Sequence, residues 1–249
     1  MQIINGLHKM RATPRKFTPR IFQVNGFSIY VGPCKSCPSA IEPWIKQFCS
    51  LSEHKWYVPI DRDWAADWFN NYGMKELFPN YDIAIDTISD SHSDDWAYLS
   101  DDNIASILVQ AKQLYGLLHA RWICQAKGLT QMKKKFESGI FGECPRFNCN
   151  GQHLLPMGTT LKPRHHSVKL FCPKCCDIYT APPTMRIDGA HFGPAFPHIF
   201  LSEYSDFDKS TDFKAFKMFA FGFPIKKTKK RFEPHETNHH EEEFPRNDV

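Results

Sequence analysis

Cys144-Pro-Arg-Phe-Asn-Cys149 and, 22 residues later, Cys172-Pro-Lys-Cys175 decide the fold of the second half of this chain. Two close cysteine pairs on two turns can bring four thiolates onto one tetrahedral Zn²⁺, with Zn–S near ~2.3 Å. Ser167-Val168-Lys169-Leu170-Phe171 is β-prone and runs straight into the second pair, as a zinc ribbon requires. Four sulfurs close the coordination sphere and leave no position for water, so the site is structural rather than catalytic. Its binding energy is folding energy, on the order of 10 kcal/mol or more. Cys176, beside the second pair, reads as a bystander.

Around this site the texture is loop-rich. Past Gly139, glycine and proline recur every few residues, and Asp177-Ile178-Tyr179-Thr180 is a second short β-prone run. Residues 41–138 read as helices instead. Ser39-Ala-Ile-Glu42 is a capping-box pattern ahead of a helix that places Trp44, Ile45 and Phe48 on one face. Asp61 or Asp63 can cap a second helix carrying Trp64, Trp68 and Phe69, and Tyr81 to Ile88 suggests a third. From Asp102 to Lys127, Ile104, Ile107, Leu108, Ala111, Leu114, Tyr115, Leu118 and Trp122 recur at helical spacing, with Gly128 placed as a left-handed stop. That helix would be about 36 Å long. The fold class expected is therefore α+β: a helical domain at 41–138, then a zinc-ribbon β domain at 139–200.

The flanks differ in charge. Residues 1–40 hold six Lys or Arg and no acid, and read as a basic, mostly disordered extension. From Trp56 to Asp102 eleven acids face only Arg62 and Lys75; from Lys209 to Arg231 eight bases face Asp212. The segment 201–232 is a basic tail and 233–249 a polar, disordered end. The net charge of +4 excludes a strongly polycationic nucleic-acid binder, and no apolar stretch approaches the length of a membrane span. Nine cysteines, an odd number, and no secretion signal disfavour a disulfide scaffold.

Weaker motifs do not add chemistry. Cys34-x-x-Cys37 is half a metal site without a second half, and His165-His166 reads as a surface turn. His235-Glu-Thr-Asn-His239 has the letters of a zincin motif, but it follows Pro234 in a polar tail with no helix or pocket to complete it. No Gly-rich phosphate loop, nucleophile elbow or kinase motif set is present, so the chain does not read as an enzyme.

WIKQFCSL (44–51), DRDWAADWFNNYGM (61–74), LYGLLHARWI (114–123), GLTQM (128–132), KFESGIFGECPRFNC (135–149), LPMG (155–158), VKLFCPKCCDIY (168–179) and DGAHFGPAFPHIF (188–200) together resemble the regulatory beta subunit of casein kinase II. The resemblance spans about Glu42 to Lys226. It implies that Cys144, Cys149, Cys172 and Cys175 hold structural Zn²⁺ and that two beta chains dimerise through the zinc ribbon. It also implies that the tail docks a catalytic alpha subunit, giving a cytoplasmic and nuclear α₂β₂ kinase in which this chain does no chemistry. The family's docking hairpin, Leu-Tyr-Gly-Phe at its tip, aligns with Ala220-Phe221-Gly222-Phe223, so Phe221, Gly222 and Phe223 are the expected docking residues. Here Phe221 lacks the family's hydroxyl, and Pro224 removes a backbone N–H that a hairpin can use.

The family's acidic loop, which takes polyamines and basic substrates, corresponds to Asp90, Asp94, Asp95, Asp101 and Asp102, thinner here and interrupted by Trp96 and Tyr98. Ser39, with Glu42 at +3, is a phosphoacceptor candidate as well as a helix cap. Two other readings remain open at this point. One is a divergent paralogue that dimerises but binds the catalytic chain weakly. The other is a nucleic-acid-binding zinc ribbon using Lys133-Lys134-Lys135 and the bases at 226–231, against which the acidic stretch argues.

Overall fold

The computed structural model describes residues 20–24, 27–31, 42–91, 100–214 and 217–225. The chain forms two compact units, Met1–Phe213 and Lys214–Val249. In the first unit the order is β1 (Arg20–Val24), β2 (Phe27–Val31), α1 (Trp44–Ser50), α2 (Arg62–Ala66), α3 (Tyr81–Ile88), α4 (Asp101–Trp122), α5 (Ala126–Glu137), β3 (Leu155–Met157), β4 (Lys169–Phe171), β5 (Ile178–Thr180) and α6 (Phe196–Glu203). The overall class is α+β. Strands β3, β4 and β5 form one antiparallel sheet in that order, with Leu155 opposite Phe171 and Phe171 opposite Ile178.

The described part of the basic extension departs from its reading as disorder. Arg20–Val24 and Phe27–Val31 pair as antiparallel strands, with Val24 opposite Phe27. The signal was Asn25-Gly26 between two β-branched and aromatic runs, the strongest short hairpin pattern a sequence offers.

Helix α4 is the spine of the first unit. All eight apolar positions read from its periodicity are buried, and Ser100 caps it by accepting from Asn103 N–H at 3.4 Å. At 22 residues it is about 33 Å long. It ends at Trp122 rather than Lys127, and Gly128 is not its stop. Gly128 lies inside α5, where a Cβ would sit 2.1 Å from the Trp122 carbonyl oxygen. The glycine is there for close approach of α5 to the end of α4, not for a left-handed turn.

The other helix ends also differ in detail. Helix α1 starts at Trp44 with Pro43 as its N-cap and no side-chain cap, so the capping box does not open it; Ser39 lies outside the described residues. Asp61 caps α2 as expected, accepting from Asp63 and Trp64 N–H. That helix stops before Trp68 and Phe69, which are exposed. Local side chains take over there: Asp67 accepts from Phe69 N–H at 3.0 Å, and Asn71 Nδ2 donates to Ala65 O and Asp67 O, each at 2.7 Å. Such bonds compete with helix propagation.

One continuous core runs from Trp44 to Phe200, and a buried polar cluster joins its helical and strand-bearing parts. His119 on α4 donates through Nδ1 to His191 O (2.8 Å) and accepts Val58 N–H at Nε2 (3.2 Å). Tyr57 Oη lies 2.6 Å from His191 Nδ1, and Tyr115 donates to Val58 O at 2.8 Å. Gly116 makes room for this turn, since a Cβ there would meet the His191 ring at 2.3 Å. The segments 114–123 and 188–200 are thus two sides of one contact. Both histidines are neutral: burial lowers His119 to about 3, and burial, outweighing the nearby Asp188 carboxylate, lowers His191 to about 4.

A histidine whose folded pKa lies below its unfolded value contributes its stability above about pH 6.5 and surrenders it as pH falls toward the folded value. Urea unfolding between pH 6 and pH 4.5 should therefore show stability falling more steeply in the wild type than in His191→Asn. The expected difference is about 1 kcal/mol per pH unit. Parallel pH profiles would remove His191 from the acid sensitivity of the fold.

Candidate metal centre and docking hairpin

The two cysteine pairs converge. Cys144 is held by its N–H donating to Gln152 O (2.8 Å), and Cys149 closes a 3₁₀ turn at Phe147–Cys149. The chain reverses through left-handed Asn150 and Gly151. Cys172 follows β4 directly; its N–H donates to Asp177 O (3.0 Å), and Cys176 N–H donates back to Cys172 O (2.9 Å). Cys176 adopts φ 56°, the left-handed turn that aims its exposed side chain away, with Sγ 3.9 Å from Pro173 O. It is outside the cluster, as its sequence position suggested.

The four remaining sulfurs lie within 4.8 Å of one another. Cys144 and Cys175 Sγ are 3.8 Å apart, and Cys149 and Cys172 Sγ 3.9 Å. A disulfide would need about 2.05 Å. A tetrahedron of sulfurs each ~2.3 Å from a central ion has edges of about 3.8 Å. The donor set therefore fits a four-thiolate metal ion. Without an ion, burial raises the Cys149 thiol to about 11 and Cys172 further. At Cys175 burial also pushes upward, but hydrogen bonds from Tyr179 and the Asp177 backbone outweigh it and bring the thiol to about 7. Protons and a metal ion compete for the same sulfurs.

Two outer contacts, which sequence reasoning missed, brace the cluster. Tyr179 Oη lies 3.4 Å from Cys144 Sγ and 3.3 Å from Cys175 Sγ, bridging the two pairs. Arg146, between the first two cysteines, forms an ion pair with Asp177, just past the second pair, and its guanidinium lies 5.6 Å from the centroid of the Phe213 ring. Flanking the cluster, Phe147 is 95% exposed and Ile178 is exposed as well.

In the second unit, β6 (Phe219–Ala220) and β7 (Phe223–Pro224) form a hairpin. Phe221 (φ 52°) and Gly222 (φ 86°) are its two turn residues. Positive φ at both is the type I′ arrangement, which suits Asn-Gly and costs a phenylalanine about 1–2 kcal/mol. Phe221 is fully exposed, and Phe219 and Phe223 are also exposed. Pro224 does not weaken the hairpin. The Ala220–Phe223 pair flanks the turn, Ile225 N–H donates to Met218 O at 2.8 Å, and Phe219–Pro224 is the pair between them. In an antiparallel ladder that intermediate pair makes no cross-strand hydrogen bonds, so the missing N–H removes none.

The remaining expected site residues scatter. Asp90 is not part of a solvated acidic loop: at φ 53° its Oδ1 accepts from Trp44 N–H (2.9 Å), and Arg62 lies 3.8 Å from Oδ2. Asp101 and Asp102 are the first residues of α4 rather than loop residues. Asp94, Asp95, Trp96, Tyr98, Cys34, Cys37, His235 to His239 and the bases at 226–231 lie outside the described residues. The lysines proposed for nucleic acid are partly engaged already: Lys133 lies 4.9 Å and 5.6 Å from the Tyr204 and Phe207 ring centroids, and Lys135 Nζ donates to Lys55 O at 2.6 Å. Among the described residues no helix is long and apolar enough to cross a membrane.

Comparison with known proteins gives these two features a context. The family described as casein kinase II regulatory subunit matches residues 43–224. Casein kinase II subunit beta-3 of Arabidopsis thaliana is 37% identical over 186 residues, covering 74% of this chain and 67% of the relative. Casein kinase II subunit beta of Dictyostelium discoideum is 38% identical over 189 residues (74% and 69%), and that of Schizosaccharomyces pombe 36% over 185 residues (73% and 78%). A further Arabidopsis thaliana beta chain, 37% identical, is covered over 65% of its own length, just under two thirds. The match takes in the cysteine cluster, the α4 spine and the hairpin tip, and the chain belongs to the casein kinase II regulatory subunit family, whose members are non-catalytic.

Proposed function

We propose that this chain is the non-catalytic partner of a casein kinase II catalytic alpha chain, which it docks through the hairpin at 219–224 and whose stability and substrate choice it modulates. The observation that carries the reading is Phe221. A bulky aromatic ring held fully in solvent, on a backbone conformation that disfavours it, is poor for the isolated hairpin and suited to insertion into a partner. The unhydrogen-bonded placement of Pro224 favours this reading over a paralogue with a defective hairpin. The direct test is co-purification with a catalytic chain, expected as a stable stoichiometric complex.

The metal in this reading is Zn²⁺, held by Cys144, Cys149, Cys172 and Cys175 as the centre of a zinc ribbon. Bound there, it supplies cross-linking of the two knuckles and no reactive position. Two copies dimerise on the face around that centre, giving an α₂β₂ assembly in cytoplasm and nucleus. The exposed apolar side chains of Phe147 and Ile178, beside a rigid metal knuckle, support that face as the contact. The double variant Phe147→Asp/Ile178→Asp should retain its metal and run as a monomer in sedimentation at concentrations where the wild type is dimeric. A variant that stays dimeric would move the interface elsewhere. Acidic side chains such as Asp102 remain available to polyamines or basic substrates.

A further inference from the structure

Outside the metal centre and the hairpin, a cavity of about 620 Å³ opens between the loop at 164–167 and the segment 180–188. Its titratable lining is Arg164, His165, His166, Arg186 and Asp188, and Met185 is among the apolar residues beside them. The two walls are stitched together by backbone. Val168 N–H donates to Ile187 O (2.9 Å), Gly189 N–H donates to His166 O (2.8 Å), and Ser167 pairs with Asp188. Gly189 sits close against this backbone, since a Cβ there would lie 3.0 Å from His166 O, tighter than an ordinary contact. Arg164 takes a left-handed turn (φ 63°), and its Nη2 donates to Gln113 Oε1 on α4 at 2.6 Å, which anchors its guanidinium.

The charge inside is unbalanced. The Asp188 carboxylate is occupied by backbone, accepting from Arg164 N–H and from Ala190 N–H. Arg186, His165 and His166 are exposed and form no ion pair with a described carboxylate. A pre-shaped cavity bordered by two guanidiniums and two imidazoles, with its carboxylate already satisfied, is suited to an anion with several acceptor oxygens. A phosphate monoester meets that need, with near −2 charge and three acceptor oxygens at neutral pH.

We propose that this cavity binds the phosphoryl group of a phosphorylated peptide. The apolar lining favours a peptide over a nucleic acid: Pro182, Pro183 and Met185 offer apolar contact for a chain, and no Phe, Tyr or Trp lines the cavity to stack a base. The consequence for a kinase subunit is retention of segments that already carry one phosphate. The site stands independently of hairpin docking, because it belongs to this chain alone.

The test uses the full-length, metal-loaded chain and fluorescence anisotropy with a labelled phosphoserine peptide, its unphosphorylated form, and competition by inorganic phosphate and by a single-stranded oligonucleotide. The phosphopeptide should bind at least about tenfold more tightly than its unphosphorylated form, about 1.4 kcal/mol. His166→Ala/Arg186→Ala should abolish that preference while leaving metal content unchanged. A milder Arg186→Gln should reduce it in the same direction. Equal affinity for the two peptides, or a preference that survives the double variant, overturns the proposal. So does displacement by inorganic phosphate at the peptide's own concentration, which would make it a free-anion site, or tighter binding of the oligonucleotide.

Discussion

Phe221→Ala/Phe223→Ala is expected to reduce affinity for the catalytic chain by about a thousandfold or more, with the metal-centred unit unaffected. Each ring that passes from full exposure into a partner's pocket is worth about 2 kcal/mol or more at an interface hot spot, so the pair carries about 4–5 kcal/mol. Both side chains are exposed in the free chain and support no core, so truncating them should leave its stability within about 0.5 kcal/mol. Phe221→Asn sharpens the experiment. Asparagine is favoured at the first position of a type I′ turn, so the hairpin should become firmer while docking is lost. Titration calorimetry against a catalytic chain separates the outcomes. Retained affinity in both variants would sink the hairpin as the docking element.

Removing the metal should unfold the strand-bearing half of the first unit. The four sulfurs come from two knuckles joined by the sheet β3-β4-β5, and a structural ion there contributes on the order of 10 kcal/mol, comparable to the whole stability of a domain. Cys172→Ser, or a strong chelator, is expected to abolish the cooperative thermal transition and expose Trp56, which packs edge-on against Phe141 just ahead of Cys144. Its fluorescence reports the loss. Readdition of Zn²⁺ should restore the transition in the chelated wild type but not in Cys172→Ser. A full transition in the metal-free chain would show that the apolar core suffices alone.

What the sequence disclosed tracks how local the determining physics is. The cysteine spacing and the periodicity of α4 are short-range patterns: the four sulfurs converge, with all but the half-buried Cys175 buried, and all eight apolar positions of α4 are buried. Gly128 misled because an isolated glycine after a periodic run can mark either a turn or a tight crossing, and only the position of the Trp122 carbonyl distinguishes them. The role of Tyr179 depends on two sulfurs 35 and 4 residues away meeting at one point. The pairing of His119 with His191 crosses 72 residues. Neither had a local signal. The strand pairing at 20–31 does have one, Asn25-Gly26, set in a basic, proline-bearing stretch whose composition otherwise favours disorder. Asp90 read as a surface acid because its acidic neighbourhood conceals that its partner is the Trp44 amide.

In the free chain, the hairpin at 219–224 is two short strands with exposed Met218, Phe219, Phe221, Phe223 and Ile225, the composition of an aggregation-prone edge. At a pair without cross-strand hydrogen bonds, the backbone N–H of each residue points outward, toward any third strand that would add. Pro224 occupies such a position on β7, so the amide it lacks is the one a neighbouring copy would have grasped. The same proline that leaves the hairpin intact removes that outward donor from the β7 edge, while the Phe219 amide remains on the β6 edge.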